Sequence, residues 1–282
     1  MDWNKANTVL IAAFIVLNIF LLSPSFSDVY SEEYNVNTDL EFIENVESIL
    51  SERNVYVKCE LPDEIYVLPT LGTEYEILYV SDELLTRFLG PGMQAVEDVT
   101  SYKNDAGEIL EINDGKKLNY VVRDKIDGVI SYEETIDKKI NTFIENKKIN
   151  AEGYSESFRY ISQDYSIVVY TKKYNEFSLD NSYMRFYFDK EGIYRFEMQN
   201  IETAKETAEK IRVFSAAETL PRLLSFNDVS DKEIMEIKMT YYSAEDENWQ
   251  LISGINSYPV WKVIFNDGTY KHLSGINTYD ID

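Results

Sequence analysis

The chain of 282 residues carries 50 acidic against 27 basic residues, a formal net charge of −23. Such a charge repels the phosphates of nucleic acids and anionic lipid surfaces, which excludes a nucleic-acid partner. Tyrosine (22) and phenylalanine (14) are abundant whereas glycine (11) and proline (6) are sparse, so the composition is that of a β-rich folded protein and not of a disordered one.

The first element in chain order is an uncharged run, residues 6–27, that follows Lys5. As an α-helix rising about 1.5 Å per residue, it would reach about 33 Å, close to the roughly 30 Å hydrocarbon core of a bilayer. One basic residue before the run and an acidic body after it favour a cytoplasmic amino terminus. We therefore expect residues 1–27 to be a single-pass cell-membrane anchor with a short cytoplasmic tail, and the body, from residue 28, to be extracytoplasmic.

Two other interpretations of this run remain open. A cleavable signal peptide would end among the serines of residues 23–27, but Lys5 alone makes a poor basic region. A buried helix of a soluble protein would need apolar neighbours on every side, because the run has no polar face. Asn18, inside the run, would either contact another helix or be tolerated near the outer interface.

The first half of the body is predicted to contain two helices and several strands. After a polar stalk at residues 28–37, Thr38 and Glu41 form a capping box that begins a helix. A second, short helix spans residues 82–89 and ends at the glycines and proline of residues 90–92. The alternating segments of this half predict strands at residues 55–60, 75–80, 96–103, 108–112 and 117–123.

The same order of elements begins again after a joint at residues 127–128. Capping boxes at residues 131–134 and 215–218 begin two more helices. Pro221 lies beyond the first turn of the second one, which predicts a short or kinked helix. Residues 201–212 have helical propensity but too few apolar positions to dock as a helix. The strands predicted in this half are residues 158–162, 165–171, 183–188, 193–198, 234–242, 259–265 and 269–273.

We therefore predict an α+β fold. One amino-terminal transmembrane helix precedes a β-rich extracytoplasmic body of two α+β lobes, with antiparallel sheets and short helices. The lobes would be residues 28–127 and 128–282. Their similar order of elements would reflect either a duplication or chance.

The sequence contains no catalytic, cofactor-binding or metal-binding motif. It has one cysteine, Cys59, and one histidine, His272, and it lacks the phosphate-loop, dinucleotide and serine-hydrolase signatures. Cys59 lies on the valine face of an alternating strand, which favours a small core residue over a reactive thiol, although spacing does not exclude a Cys–His pair. The carboxylate pairs at residues 32–33, 133–134 and 245–247 are typical of solvated surface. We predict a protein that is not an enzyme.

Several segments carry a resemblance to a known family. Residues 1–5, Met-Asp-Trp-Asn-Lys, three spacer residues and an apolar run ending at residues 17–22 resemble the amino terminus of the YycI (WalI) proteins of Gram-positive bacteria. The segments 215–220, 239–242 and 259–263 are similar to the carboxy-terminal lobe of that family. A Gram-positive envelope also fits a body that has neither a disulfide nor a glycosylation sequon.

The resemblance implies a regulator without enzymatic activity. Such a protein works with a YycH-like protein and a WalK-like sensor histidine kinase, in the WalK/WalR two-component system that governs cell-wall metabolism. The contact with the kinase would run largely through transmembrane helices, so Trp3, Lys5 and Asn18 become the candidate partner-binding residues. Pro24 departs from the pattern and would end the helix early.

Two other functions are compatible with the sequence. The body could be an anchored extracytoplasmic module that binds a peptide, glycan or lipid. It could also be a wall hydrolase that uses a pair of carboxylates as acid and base.

Overall fold

The computed structural model describes the body of the chain in five stretches, residues 40–95, 100–129, 135–163, 165–244 and 254–276. The predicted anchor, with Trp3, Lys5 and Asn18, lies outside the described residues, as do the three carboxylate pairs considered above. Within the described residues, no helix is both long enough and apolar enough to cross a membrane.

The described residues form four α-helices and one 3₁₀-helix. The α-helices are α1 (Leu40–Ser51), α2 (Asp82–Leu89), α3 (Ile136–Asn146) and α4 (Ala216–Thr219), and α4 leads directly into the 3₁₀-helix Leu220–Ser225.

Fourteen strands hold nearly half of the described residues. They are β1 (Tyr56–Val57), β2 (Val67–Tyr75), β3 (Gln94–Ala95), β4 (Ser101–Lys103), β5 (Ile109–Asn113), β6 (Lys117–Val121), β7 (Tyr154–Ile161), β8 (Ser166–Tyr174), β9 (Phe177–Asp189), β10 (Gly192–Gln199), β11 (Ile201–Arg212), β12 (Glu233–Tyr242), β13 (Gly254–Phe265) and β14 (Tyr270–Ser274).

These strands join into one large, mostly antiparallel sheet. Its main path runs β11-β2-β13-β12-β9-β10-β6-β5-β4-β3, while β1, β14, β7 and β8 pair at its sides. The two parallel pairs are β1 with β12 and β9 with β12. The predicted α+β class is therefore confirmed in its coarser form, as a β-rich body with a large antiparallel sheet and few helices.

The β9–β10 hairpin shows how the sequence pattern produces the core. Residues alternate between the two faces of a strand, and the register sets Phe186 opposite Phe196 and Met184 opposite Met198. The rings of Phe186 and Phe196 lie 4.9 Å apart between centroids, and Phe143 of α3 packs against both. The hairpin predicted from this alternation is confirmed.

Two large hydrophobic clusters form most of the core, beside two smaller ones. The first surrounds Trp261 and packs α1 and the 3₁₀-helix against β12, β13 and β14. The second surrounds Phe186 and packs α2 and α3 against β5, β6, β8, β9 and β10. Each cluster draws residues from both sides of the joint predicted at residues 127–128, and β6 pairs with β10 across it. The two packing units are thus not consecutive segments of chain.

Side-chain caps begin two of the helices, and one of these caps confirms a predicted capping box. Ser81 accepts a hydrogen bond from the Leu84 amide and begins α2. Ser215 and Glu218 form both hydrogen bonds of the capping box that begins α4. The helix after Ser215 has only one α-helical turn before Pro221, which lies in the first turn of the 3₁₀-helix, so the predicted short helix is also confirmed.

One segment that the sequence left unassigned forms a strand, and one predicted strand lies elsewhere. Residues 201–212 form strand β11, which pairs with β2 from Val67 to Tyr75. Tertiary pairing here overrides helical propensity, which is only a weak local preference. The strand predicted at residues 75–80 lies earlier, at β2, because β2 hydrogen-bonds to both β11 and β13 whereas residues 76–80 leave the sheet.

Candidate functional site

The structure places Cys59 and His272 on different faces of the sheet. Cys59 packs against the first hydrophobic cluster, and burial raises the pKa of its thiol. On β14, Leu273 enters that same cluster, so its neighbour His272 faces the other way. The two residues therefore form no Cys–His pair. Among the described residues, no group of three or more His, Cys, Asp or Glu side chains is placed to hold a metal ion.

His272 instead belongs to a buried ion cluster centred on Asp180. Lys262 Nζ lies 2.8 Å from Asp180 Oδ2, and His272 Nε2 lies 2.7 Å from the same oxygen. Thr240 Oγ1 donates to Asp180 Oδ1 at 2.9 Å. The side chains of Asp180 and Lys262 are each 4% exposed and that of His272 is 13% exposed. Four strands, β9, β12, β13 and β14, each contribute one of these residues.

The electrostatics of the cluster fix its protonation state. Burial alone would raise the pKa of the Asp180 carboxyl, but the Lys262 ammonium and the His272 hydrogen bond hold it well below its usual range. Burial lowers the pKa of His272, and the nearby Lys262 charge adds to this, against the pull of Asp180. At neutral pH we therefore assign a carboxylate, an ammonium and a neutral imidazole that donates through Nε2.

Aromatic rings enclose this cluster. Tyr242 stacks on the His272 ring with centroids 3.9 Å apart and planes 16° apart, and Lys262 Nζ lies 4.3 Å from the centre of the Tyr270 ring. The Tyr270 hydroxyl accepts a hydrogen bond from Arg185 at 3.0 Å. Because Asp180 already has three partners inside this enclosure, its carboxylate serves to join strands and is not free to act as a general base.

The sequence held one signal for this cluster that was missed. Lys262 interrupts an otherwise apolar strand, Pro259–Phe265. A lysine buried at such a position requires a counter-charge, because an unpaired ammonium is costly to bury. The signal does not identify the counter-charge, since Asp180 and His272 are distant in sequence.

An open groove, the acidic groove, lies beside the first hydrophobic cluster and has a volume of about 590 Å³. Its lining has a net charge of −3. Four carboxylates contribute to it, those of Glu60, Asp63, Glu64 and Glu176, and one ammonium, that of Lys238. Lys238 already pairs with Glu236 at 3.0 Å and donates to the Ser157 carbonyl at 2.8 Å.

Aromatic side chains form the floor of the acidic groove. The Tyr66 ring lies 5.5 Å from the Phe177 ring and 5.9 Å from the Trp261 ring, both edge to face. Trp261 is held in place because its indole Nε1 donates to the Phe214 carbonyl at 2.8 Å. Burial raises the pKa of the Tyr66 phenol, and the charges of Glu64 and Glu176 add to the rise.

The chemistry of the acidic groove suits a cation. Carboxylates on the rim can accept charge-assisted hydrogen bonds from a lysine or arginine side chain, and aromatic faces attract the same cations. Such a groove has no nucleophile aligned with a base. Its carboxylate rim and aromatic floor match the chemistry of a lysine or arginine side chain.

The fold and these sites define a β-rich α+β protein with a buried ion cluster and an open acidic groove. The family model described as YycI protein matches residues 34–279, and the chain therefore belongs to the YycI family. The family membership predicted from the sequence is confirmed. No match was found among curated proteins.

Solved structures share parts of the fold at low identity. YycH from Bacillus subtilis is 14% identical, with a TM-score of 0.48 over 75% of this chain and 53% of that chain, so the match spans about half of YycH. An uncharacterized protein from Eubacterium rectale is 10% identical, with a TM-score of 0.46 over 82% of this chain and 94% of that chain. The YpeB C-terminal domain of Bacillus megaterium is 9% identical, with a TM-score of 0.30 over 83% and 97%.

The buried ion cluster gives a stability prediction. Asp180→Asn leaves the Lys262 ammonium buried without its counter-charge, so we expect the free energy of unfolding to fall by about 3–5 kcal/mol. Asp228→Asn is the matched control, because Asp228 pairs with Lys271 at an exposed position and its loss should change little. Urea denaturation measures both, and equal losses would contradict the central role of Asp180.

His272 gives stability a defined pH dependence. An unfolded histidine titrates at about 6.5, and the folded-state pKa of His272 is lower. Between these two values the unfolded chain binds more protons than the folded chain, so the free energy of unfolding falls as the pH drops below about 6.5.

We expect His272→Gln to lose that part of the slope. The measurement is urea denaturation from about pH 8 to about pH 5. It compares the slopes of the free energy of unfolding against pH, because carboxylates titrate in both proteins. His272 is the one histidine of the chain, so the difference between the two curves isolates it. Parallel curves would show that His272 has the same pKa in the folded and unfolded states.

Proposed function

We propose that this protein is a membrane-anchored accessory regulator, without enzymatic activity, of a two-component system that senses the cell wall. The observation that carries the proposal is the YycI family match over residues 34–279, which begins just after the apolar run of residues 6–27. Family membership supports a role in two-component regulation, and the apolar run supports the anchor.

In the proposed arrangement the amino terminus is cytoplasmic and the body is extracytoplasmic. Residues 6–27 cross the membrane once, with Trp3 and Lys5 at the cytoplasmic interface, where an aromatic ring and a cation are favoured. The strong negative charge of the body keeps it from lying flat on anionic lipid, so the helix is the element that holds it at the membrane.

The regulator modulates a WalK-like sensor kinase together with a YycH-like protein. Within the bilayer, Asn18 would place an amide in hydrocarbon, and a polar group there gains by hydrogen-bonding to a neighbouring helix, typically by about 0.6 kcal/mol. Outside the bilayer, the acidic groove would receive a basic segment of a partner. The two contacts act on different parts of the same complex.

A helix exchange tests the contact within the membrane. We expect replacement of residues 6–27 by an unrelated transmembrane helix to reduce co-purification with the kinase in detergent and to change kinase output. Asn18→Leu should reduce both by a smaller amount, since it removes one polar contact and keeps the rest of the helix. Labelling with a membrane-impermeant reagent serves as the control that the body remains outside. Unchanged output would mean that the helix is only an anchor.

A charge removal tests the acidic groove. We expect Glu64→Gln combined with Glu176→Gln to slow association with the partner complex by about tenfold at low salt, because carboxylates at a groove rim steer cations. Glu44→Gln with Glu47→Gln on α1 is the matched control, with the same change of net charge at exposed positions. Surface plasmon resonance at two salt concentrations measures both. Equal slowing by the two pairs would assign the effect to net charge and not to the groove.

A further inference from the structure

A second cleft, the mixed-charge cleft, lies against the second hydrophobic cluster and has a volume of about 380 Å³. Its floor is apolar. Leu84 and Phe88 lie four residues apart on α2 and so on one face of that helix, and Leu118 of β6 and Met198 of β10 complete the surface. The acidic groove shares none of these residues.

Six charged side chains line the mixed-charge cleft, three of each sign. They are Arg87, Lys148, Lys172, Glu76, Glu152 and Glu202. Across the described stretches of chain, none of the six forms an ion pair with another residue. Opposite charges that share a cleft without pairing leave their charge available to a ligand.

One group of these charges is basic. Arg87 Nη1 donates to the Lys148 carbonyl oxygen at 3.4 Å, so the guanidinium lies beside the backbone that carries the Lys148 side chain. Arg87 Nε is buried and has no hydrogen-bond partner among the described residues. A buried guanidinium donor without a partner is costly, and a carboxylate that accepts from it would remove that cost.

The other group is acidic overall. Burial lowers the pKa of Lys172, while the carboxylates of Glu76, Glu152 and Glu202 oppose the shift, so all three lie within its electrostatic reach. With three carboxylates and one ammonium, this group has a net charge of −2. Lys172 Nζ donates to the Ile201 carbonyl at 3.1 Å.

Hydrogen bonds hold one member of the acidic group, Glu76, in position. Asn200 Nδ2 donates to Glu76 Oε2 at 2.7 Å, and the Tyr154 hydroxyl donates to Asn200 Oδ1 at 2.9 Å. Burial raises the pKa of Tyr154 to about 12, so its hydroxyl remains a donor at physiological pH. Glu76 is therefore preorganised, which lowers the entropic cost of binding.

We propose that the mixed-charge cleft binds a short peptide with free amino and carboxyl ends and an apolar side chain. The peptide carboxylate pairs with Arg87 and Lys148, its ammonium pairs with Glu76 and Glu202, and its side chain lies on the apolar floor. A guanidinium binds a carboxylate in two parallel hydrogen bonds, which gives this end its specificity. The volume lies at the small end of the range for ligand pockets, which suits a peptide of two or three residues.

Other ligand classes fit this cleft less well. A free phosphate would be repelled by the three carboxylates, and a metal cation by the three basic side chains. An uncharged sugar would bury charged groups without pairing them. The zwitterion matches both groups of charges, and this inference does not rest on the proposed role with the kinase.

The test uses the full chain in detergent and leucyl-leucine as the probe. We expect this dipeptide to bind with a dissociation constant near or below about 1 mM in isothermal titration calorimetry. N-acetyl-leucyl-leucine lacks the ammonium and leucyl-leucine amide lacks the carboxylate, so each should bind at least tenfold more weakly. Equal binding of all three would overturn recognition of a zwitterion, as would tighter binding of inorganic phosphate.

Matched variants locate the binding. Arg87→Gln and Lys148→Gln should each weaken leucyl-leucine at least fivefold, whereas Lys103→Gln removes the same charge from an exposed strand and should change nothing. The unfolding midpoint without peptide verifies that each variant is folded. If leucyl-leucine and a series of free apolar dipeptides give no heat at about 10 mM, well above the roughly 1 mM of a weak specific complex, the proposal is wrong.

Discussion

The large sheet depends on the Asp180 carboxylate at a junction with a very short ladder of backbone hydrogen bonds. Strands β9 and β12 join two parts of the sheet, yet their parallel ladder consists of two residue pairs, Thr240 with Ser178 and Tyr241 with Leu179. Asp180 is the next residue of β9 after Leu179. It connects the junction to β13 and β14 through Lys262 and His272. A buried ion pair offsets the cost of its desolvation only when its charged groups are also hydrogen-bonded. The Asp180 carboxylate of β9 accepts from residues of three other strands, β12, β13 and β14.

The acidic groove and the mixed-charge cleft both combine residues from the two parts of the sheet that this junction joins. The floor of the acidic groove combines Phe177 of β9 with Trp261 of β13, so it spans the junction itself. The mixed-charge cleft lies against the second hydrophobic cluster at α2, β6 and β10, but Glu202 of β11 and Glu76, just after β2, line it from the other part of the sheet. A weaker junction would therefore disturb the groove and the cleft together.

The sequence predicts elements that depend on residues close together in the chain, but not contacts between residues far apart in it. Alternation fixes the β9–β10 hairpin, and the capping box at Ser215 fixes the start of α4, because the interacting residues are close in sequence. Strand β11 was missed, since its partner β2 lies more than a hundred residues earlier and local propensity favours a helix. The ion cluster and the cleft share this limit: the sequence shows the charges but not which of them meet.

The proposed anchor and the acidic groove would each make a contact of low affinity, and the two contacts would reinforce each other. The field of an exposed groove is screened within about 8 Å at physiological ionic strength, so a free body would find a basic partner only at short range. Two proteins confined to one membrane meet at an effective concentration far above that of free solution, and a second contact then needs little affinity of its own. In the proposed complex, a weak helix contact through Asn18 and a salt-sensitive contact at the groove thus act together, where either contact alone would release the partner.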